Sequence, residues 1–396
     1  MPVRSQRFTW FDGIVLSGAV ASIALLAVRF LGAHGVVRND FATFWTVSHL
    51  LRQGALGEIY DPPRIAAHYH ELFGGRPDEF PRYWPYPPMA LFLMAPLALL
   101  PSFPSYLVWC LATLALFAAS VRAYFGDNRR VLMLALAPSS CANIVFGQTG
   151  FVASALLVGG LALLERRPLL AGLLLGLLAF KPQLGIMLPL ALAAARLWRP
   201  FLAAAFAALA AAVASVAVFG IAAWRDYFEL TIPFELNYAA HGQNPFIQKA
   251  PTIFVAARLL GAPANLGYLL QATALVAVAA IVIWAFGRRR DRELQAGVLL
   301  AGTALASPHI HVYDLSLVSV AAVALAEGAR ARAPGLFERA TIALAWLAPV
   351  AVIVLSVMLN MGVPHAPYAL ASLSPLITAA LLCFLVARSR QMPAAA

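Results

Sequence analysis

Apolar runs long enough to cross a membrane recur along the whole chain, and they constrain its fold more than any single motif does. A helix needs roughly 20 apolar residues to cross about 30 Å of hydrocarbon. With 62% hydrophobic and only 11% charged residues, the chain has too little polar surface for a soluble globule. We therefore expect an all-α polytopic integral membrane protein, with residues 1–396 forming one membrane domain and no appended soluble domain.

The positions of the arginines predict the direction of each crossing. Arginines cluster in short segments between apolar runs, and positive residues in short loops stay on the cytoplasmic side. We predict about twelve spans, within a range of ten to thirteen, with both termini cytoplasmic and the first span retained as an anchor. The predicted spans cover residues 11–31, 104–124, 131–147, 149–165, 168–181, 183–198, 200–222, 264–286, 294–307, 311–327, 339–359 and 367–387. Arginines meeting anionic lipid headgroups would explain the net charge of +11 without a nucleic acid partner.

Two large loops are predicted on the extracytoplasmic side, over residues 32–103 and 224–263. Within the first, residues 41–53 and 62–73 have the pattern of amphipathic surface helices, and the aromatic cluster at 80–88 is typical of headgroup depth. The apolar stretch 86–100 is bounded by prolines and is too short to span, so we expect an interfacial or re-entrant segment.

The chain has only two lysines, Lys181 and Lys249, and both are predicted on the outer side, where the positive-inside rule disfavours them. Lys181 precedes Pro182, which breaks a helix at the outer boundary. An ammonium group there is suited to binding a phosphate, although a lysine that only reaches toward the interface fits the position equally well. For Lys249, simple solvation in a loop is the alternative.

Asp40 opens the longest polar stretch of the chain, just beyond the first apolar run. A carboxylate at the mouth of a membrane-embedded chamber is suited to act as a general base. The alternative is that Asn39 or Asp40 only caps the surface helix that follows.

Other polar side chains gather in the turns predicted on the same outer side: Asn143, Gln148, His309, His311 and Asp314. Each has a structural explanation, such as a helix cap, an interfacial histidine or an acid at a helix N-terminus. Turns on the inner side carry arginines and little else. We therefore expect the chemistry to take place on the outer side.

Several short motifs occur in a fixed order: Asn39-Asp40-Phe41, Tyr86-Pro87-Pro88, Asn143 with Gly147-Gln148, Lys181-Pro182-Gln183, and Ser307-Pro308. In this order and over residues 37–325, the chain resembles glycosyltransferase family 87, the polyprenol-phosphate-mannose-dependent α-mannosyltransferases with the GT-C fold. The resemblance implies an inverting transfer of a hexose, mannose in that family, from a polyprenyl phosphate on the extracytoplasmic face of the plasma membrane. It implies that Asp40 is the catalytic base and that Asn39, Tyr86, Asn143, Gln148 and Gln183 belong to the site.

The chain departs from the better-known members of that family at one motif. Those members have a pair of histidines after the Ser-Pro dipeptide, and without gaps these positions are Tyr313 and Asp314 here. A histidine role could therefore be carried by His309 or His311, or be absent. The acceptor, a glycolipid or a glycan, is not indicated by any residue.

Several sequence patterns that would indicate another chemistry are missing. There is no Asp-x-Asp pair for a metal-bound nucleotide and no glycine-rich phosphate loop, and Cys110, Cys141 and Cys383 have no paired spacing. We therefore predict no cofactor and no nucleotide-sugar donor. No metal site is indicated, and the sequence leaves metal dependence open. A lipid or solute transporter and a structural subunit remain the alternatives, and transporters commonly show internal repeats and charges near the midplane.

Overall fold

The computed structural model describes residues 10–31, 39–74, 82–241, 250–288, 291–328, 334–360 and 369–391. These residues are helical for the most part, and no β-strand occurs among them. The prediction of an all-α protein is confirmed.

The described α-helices follow one another in two halves of the chain. In the first half they are α1 (Trp10–Leu31), α2 (Asp40–Gln53), α3 (Leu56–Ile59), α4 (Pro62–Phe73), α5 (Leu91–Met94), α6 (Ser102–Phe125), α7 (Asn128–Ala135), α8 (Pro138–Phe146), α9 (Gly150–Leu163), α10 (Pro168–Gly176) and α11 (Leu188–Ala194). In the second half they are α12 (Trp198–Asp226), α13 (Ile232–His241), α14 (Ile253–Leu259), α15 (Ala264–Phe286), α16 (Arg292–Ala306), α17 (Ser316–Gly328), α18 (Leu336–Asn360) and α19 (Ala369–Gln391).

Among the described residues, six helical stretches are long and apolar enough to cross a membrane: Trp10–Ala27, Ser102–Phe125, Trp198–Ala240, Ala264–Phe286, Leu336–Val354 and Leu373–Gln391. Each overlaps one of the predicted spans, and Trp198–Ala240 extends well beyond the predicted 200–222. This architecture is the one expected of a polytopic membrane protein.

The other six predicted spans are shorter or broken, so twelve crossings are not confirmed. Helix α16 has 15 residues, which is about 22 Å and less than the hydrocarbon thickness. The predicted span 131–147 is divided into α7 and α8 ahead of Pro138, and 183–198 contains only the seven residues of α11. Helices α9 and α16 are buried along most of their length. Their apolar composition thus reflects packing inside the protein, which the sequence pattern does not distinguish from contact with lipid.

The described part of the first loop is built of short helices. The expected surface helices coincide with α2 and α4 within one residue. Helix α2 packs against α4, α5 and α6. Residues 86–100 form 3-10 turns at Pro88–Ala90 and Leu97–Leu99 around α5. None of these elements is long enough to span, and the depth of the segment in the bilayer stays a prediction.

The second loop begins as a continuation of α12. Gly220 interrupts that helix with φ 80° and ψ 159°, and beyond it Trp224 Nε1 donates to Ser215 Oγ at 2.9 Å. A π-helical turn, Tyr227–Thr231, leads into α13. The bend directs α13 toward the first loop, where the rings of Phe234 and Tyr83 lie 5.2 Å apart.

Acids and arginines join several helices at one end of the bundle. Arg129 contacts both Asp12 and Glu327, and Arg130 contacts Glu293 at 2.8 Å and Glu327 at 2.7 Å. These residues lie at the starts of α1, α7 and α16 and at the end of α17. The opposite ends of α16 and α17 lie on either side of the segment with His309 and Asp314, so this arginine network and the predicted site occupy opposite ends.

Candidate active site

Asn39, and not Asp40, is the N-cap of α2. The Asn39 side chain accepts a hydrogen bond from the Phe41 amide at 3.1 Å and donates to the Val145 carbonyl at 2.8 Å. Asp40 occupies the first helical position. Since Asn39 takes the capping role that the sequence left open between the two residues, the Asp40 carboxylate is available for other contacts.

The Asp40 carboxylate is held by two side chains that are distant in sequence. Gln148 Nε2 donates to Asp40 Oδ2 at 2.8 Å, and the guanidinium group of Arg82 lies 3.6 Å from Asp40 Oδ1. The Asp40 side chain keeps 20% of its surface exposed. The carboxylate is thus fixed in orientation, yet it remains accessible to a substrate.

The turn that carries Gln148 requires glycine at position 147. Gly147 ends α8 with φ 63°, a conformation that favours glycine. A Cβ atom there would lie 2.5 Å from the Cβ of Phe41, the neighbour of Asp40. Trp109 Nε1 donates to the Gly147 carbonyl at 3.0 Å. This close approach of backbones brings the Gln148 amide to the start of α2.

Tyr86 extends the chain of hydrogen bonds that begins at Asp40. Its hydroxyl donates to Gln148 Oε1 at 3.2 Å and lies 3.0 Å from Thr149 Oγ1. Burial raises the pKa of Tyr86 far above its ordinary value, with Asp314, Asp40 and Glu235 adding to this, despite the opposing hydrogen bond with Thr149. The phenol therefore stays protonated, and its donation fixes the Gln148 amide with its NH2 toward Asp40.

Lys181 forms a buried ion pair with Asp314. The Lys181 Nζ atom lies 2.5 Å from Asp314 Oδ1, and the two side chains are 3% and 1% exposed. Asp314 also accepts from the His311 backbone amide at 3.1 Å. Lys181 lies between the 3-10 turns Leu177–Phe180 and Pro182–Leu184, at the helix break that Pro182 predicts. Leaving one charge of such a pair without its partner costs about 3–5 kcal/mol. The Lys181 ammonium group thus already has a buried counter-charge, and its binding of a phosphate stays a prediction.

A third pair joins α13 to the turn after α16. His309 Nδ1 lies 2.9 Å from Glu235 Oε1. Burial lowers the pKa of His309, but the charge and hydrogen bond of Glu235 raise it by more than burial lowers it. The pKa of His309 therefore lies above its ordinary value. The second loop is thereby connected to the candidate site.

Asn143 positions backbone segments and does not face Asp40. Its Nδ2 donates to the Tyr313 carbonyl at 2.8 Å and to the Ser139 carbonyl at 3.0 Å, while its Oδ1 accepts from the Phe151 amide at 3.1 Å. The side chain is buried. Asn143 thus joins α8, α9 and the 3-10 turn that contains Asp314.

The structure places most of the sequence-predicted residues at one end of the bundle. Gln183 is half-buried beside Lys181, and the ring of His311 lies between those of His309 and Tyr313, at 5.0 and 5.4 Å. Lys249 lies outside the described residues. No group of three or more potential metal ligands occurs in the part of the chain that the structure describes.

Arg82 and Glu235 are the charged residues of the site that the sequence analysis did not select. Arg82 stands in the aromatic cluster, on the side where the positive-inside rule disfavours arginine, so the argument applied to the lysines could have identified it. Glu235 lies in an apolar stretch of the second loop, and no local motif distinguishes it.

Comparison with known proteins identifies the family. No curated protein and no solved structure matches the chain. The sequence model of glycosyltransferase family 87 matches residues 84–308, more than half of the 396 residues. The match contains Tyr86, Asn143, Gln148, Lys181 and Gln183, whereas Asp40 precedes it and reaches it through Gln148. The chain therefore belongs to glycosyltransferase family 87.

Proposed function

We propose that this glycosyltransferase transfers a hexose, mannose by its family resemblance, from a polyprenyl phosphate to an acceptor hydroxyl with inversion, and that Asp40 is the general base. One observation carries the proposal: the Asp40 carboxylate is relieved of capping by Asn39 and oriented by the Gln148 amide. Its partial exposure allows an acceptor to reach it. The family assignment favours a transferase over a transporter or a structural subunit.

In the proposed reaction, the acceptor oxygen bonds to the anomeric carbon while the bond from that carbon to the phosphate oxygen breaks. The electron pair of the broken bond stays on the phosphate, and the acceptor proton passes to Asp40. Because attack comes from the face opposite the phosphate, a β-linked donor gives an α-glycoside. A phosphate is already a good leaving group, so the base is the main requirement, and it contributes about 10²- to 10⁴-fold.

Gln148 and Tyr86 act as positioning residues in this proposal. The Gln148 amide binds Asp40 Oδ2, and Oδ1, beside the Arg82 guanidinium group, is the oxygen that takes the proton in this proposal. The protonated Tyr86 phenol prevents the amide from rotating. Base and acceptor are then held in one geometry, which is where much of the gain from an ordered site arises.

We propose that the site faces the extracytoplasmic side of the plasma membrane and that both termini are cytoplasmic. The arginine network lies at the end of the bundle opposite Asp40, and arginines favour the cytoplasmic side. The lipid tail of the donor would lie in the bilayer, and the acceptor would be a glycolipid or a glycan.

The test is sugar transfer by the Asp40→Asn variant in nanodiscs, with a synthetic polyprenyl-phosphate mannose donor and product detection by mass spectrometry. We expect a loss of about 10²- to 10⁴-fold with the fold retained. Asp61→Asn is the matched control, because Asp61 caps α4 in the same loop and asparagine caps as well as aspartate. Transfer by Asp40→Asn at the wild-type rate would remove Asp40 from the mechanism. Comparing envelope glycolipids with and without the protein would identify the acceptor.

A further inference from the structure

Three carboxylates share the site with the Tyr86 phenol, and their charges add to the effect of burial in raising its pKa. Each has its own basic partner: Arg82 for Asp40, Lys181 for Asp314 and His309 for Glu235. A donor phosphate brings a negative charge into this cluster, and transfer adds a further charge to it when the sugar leaves. A cation must therefore meet the phosphate, and the three pairs differ in how readily they release one.

The Lys181 pair is closed. At 2.5 Å, with 3% and 1% exposure, its two charges are shielded from water. Moving the ammonium to a phosphate would leave Asp314 buried without a counter-charge, which strongly disfavours the move. The pair also belongs to the fold, since Asp314 accepts from the backbone amide of His311.

The Arg82–Asp40 pair is longer and more exposed to solvent than the Lys181–Asp314 pair. Its charged atoms are 3.6 Å apart, and the side chains keep 16% and 20% of their surface exposed. When Arg82 moves away, Asp40 retains the hydrogen bond from Gln148. The guanidinium group also lies 4.4 Å above the Tyr69 ring, and a stacked arginine can turn its fork of N–H donors without leaving the ring.

Building on the proposed function, we propose that Arg82 binds the donor phosphate and that the donor, in taking Arg82 away from Asp40, prepares Asp40 to act as the base. Before donor binding, the guanidinium group sits beside Asp40 Oδ1, the oxygen that is to take the acceptor proton. A cation at that position disfavours protonation of the carboxylate. Once the phosphate binds Arg82, the same cation stabilises the charge that develops on the leaving group.

This arrangement orders the reaction, because the base is prepared only when the donor is in place. An acceptor alone meets a carboxylate that is neutralised by Arg82. The donor is also protected, since no base acts before the phosphate is held. Arg82 thus links donor binding to catalysis through one shared contact.

The test is equilibrium binding of radiolabelled farnesyl phosphate to the full-length protein in detergent, with farnesol as the uncharged reference. For Arg82→Gln we expect the Kd for farnesyl phosphate to rise about 10- to 100-fold and the Kd for farnesol to stay unchanged. Arg64→Gln is the matched control, because Arg64 lies in the same loop with 64% of its side chain exposed. We expect its binding to equal that of the wild type.

A second measurement separates phosphate binding from a purely structural role. Asp40→Asn removes the negative charge beside Arg82, so we expect it to tighten farnesyl phosphate binding several-fold in the wild-type background and not in the Arg82→Gln background. If Arg82→Gln does not fold, Arg82→Lys can replace it, because lysine retains the charge without the fork of N–H donors. We expect Arg82→Lys to bind farnesyl phosphate with intermediate affinity and still to prefer it over farnesol.

The outcomes distinguish this inference from the proposed function. Wild-type protein that binds farnesyl phosphate no better than farnesol would overturn the donor class itself. Preference for the phosphate in the wild type, together with unchanged binding in Arg82→Gln, would overturn only the role of Arg82. Tightening by Asp40→Asn that persists without Arg82 would have the same effect.

Discussion

The buried pair of Lys181 and Asp314 allows a quantitative test of the structure. Both side chains are almost fully enclosed and their charged atoms are 2.5 Å apart, so removing either partner is expected to destabilise the protein by about 3–5 kcal/mol. In Asp314→Asn, the Lys181 ammonium group retains its cation–π contact with the Tyr313 ring, 4.9 Å from the ring centroid. Such a contact contributes about 0.5–2 kcal/mol. Lys181→Met instead leaves a buried carboxylate, so we expect it to be the more damaging change.

The double variant Lys181→Met/Asp314→Asn decides whether the charges are coupled. It leaves no unpaired charge in the interior, and the methionine fills the space of the lysine stem. We expect it to be more stable than the sum of the single variants predicts, by about 2–3 kcal/mol.

The assay can use the cysteines of the chain. Cys110 and Cys141 are buried, and Cys383 is exposed, so a thiol-reactive fluorophore reports unfolding once Cys383 is replaced by serine. Unfolding midpoints from SDS titration of the wild type, the two single variants and the double variant complete a double-mutant cycle. Single variants with wild-type midpoints, or losses that simply add, would refute the placement of the pair in a closed interior.

Three further predictions concern the frame of the site. Gly147→Ala forces a side chain onto a position with φ 63° and into a 2.5 Å contact, so we expect a loss of about 1–3 kcal/mol and of sugar transfer. Gly57→Ala, which meets nothing within 4 Å, should change neither, and equal midpoints for the two would contradict the packing. Asn39→Ala should lower stability by about 0.5–2 kcal/mol through loss of the cap, as measured by the same titration. Asn39→Asp keeps the cap but replaces the donor to the Val145 carbonyl with an acceptor, so we expect it to lower stability as well. Glu235 raises the pKa of His309, so the stabilisation from this pair is complete below about pH 6.5 and is lost as pH rises through the raised pKa. Thermal midpoints between pH 6 and 9 should show this loss, and Glu235→Gln should remove it.

Local signals predicted the elements of the first loop well. Helices α2 and α4 coincide with the predicted segments because each has a capping residue, Asn39 and Asp61, directly before it. The break beside Lys181 followed from Pro182, since a proline disrupts the helix that precedes it. Such features depend on a few neighbouring residues, and a single sequence contains them in full.

Contacts between distant parts of the chain could not be predicted in the same way. Lys181 and Asp314 are 133 residues apart, and Asp40 and Gln148 are 108 apart. The sequence predicted all of these residues on the outer side of the membrane, but it did not predict which of them contact each other. The number of spans is not confirmed for a related reason: α9 and α16 are apolar along their length and are also covered by other helices.

The arginine network determines which arginines at that end of the bundle remain to interact with anionic lipid headgroups. Arg129 and Arg130 are neutralised by Asp12, Glu293 and Glu327, so their charge is balanced within the protein. In the proposed orientation, attraction to anionic headgroups falls instead to the exposed guanidinium groups of Arg166, Arg167, Arg196 and Arg199. Insertion experiments that remove the first pair would combine an effect on topology with a broken helix junction, whereas removing the second set would measure topology alone.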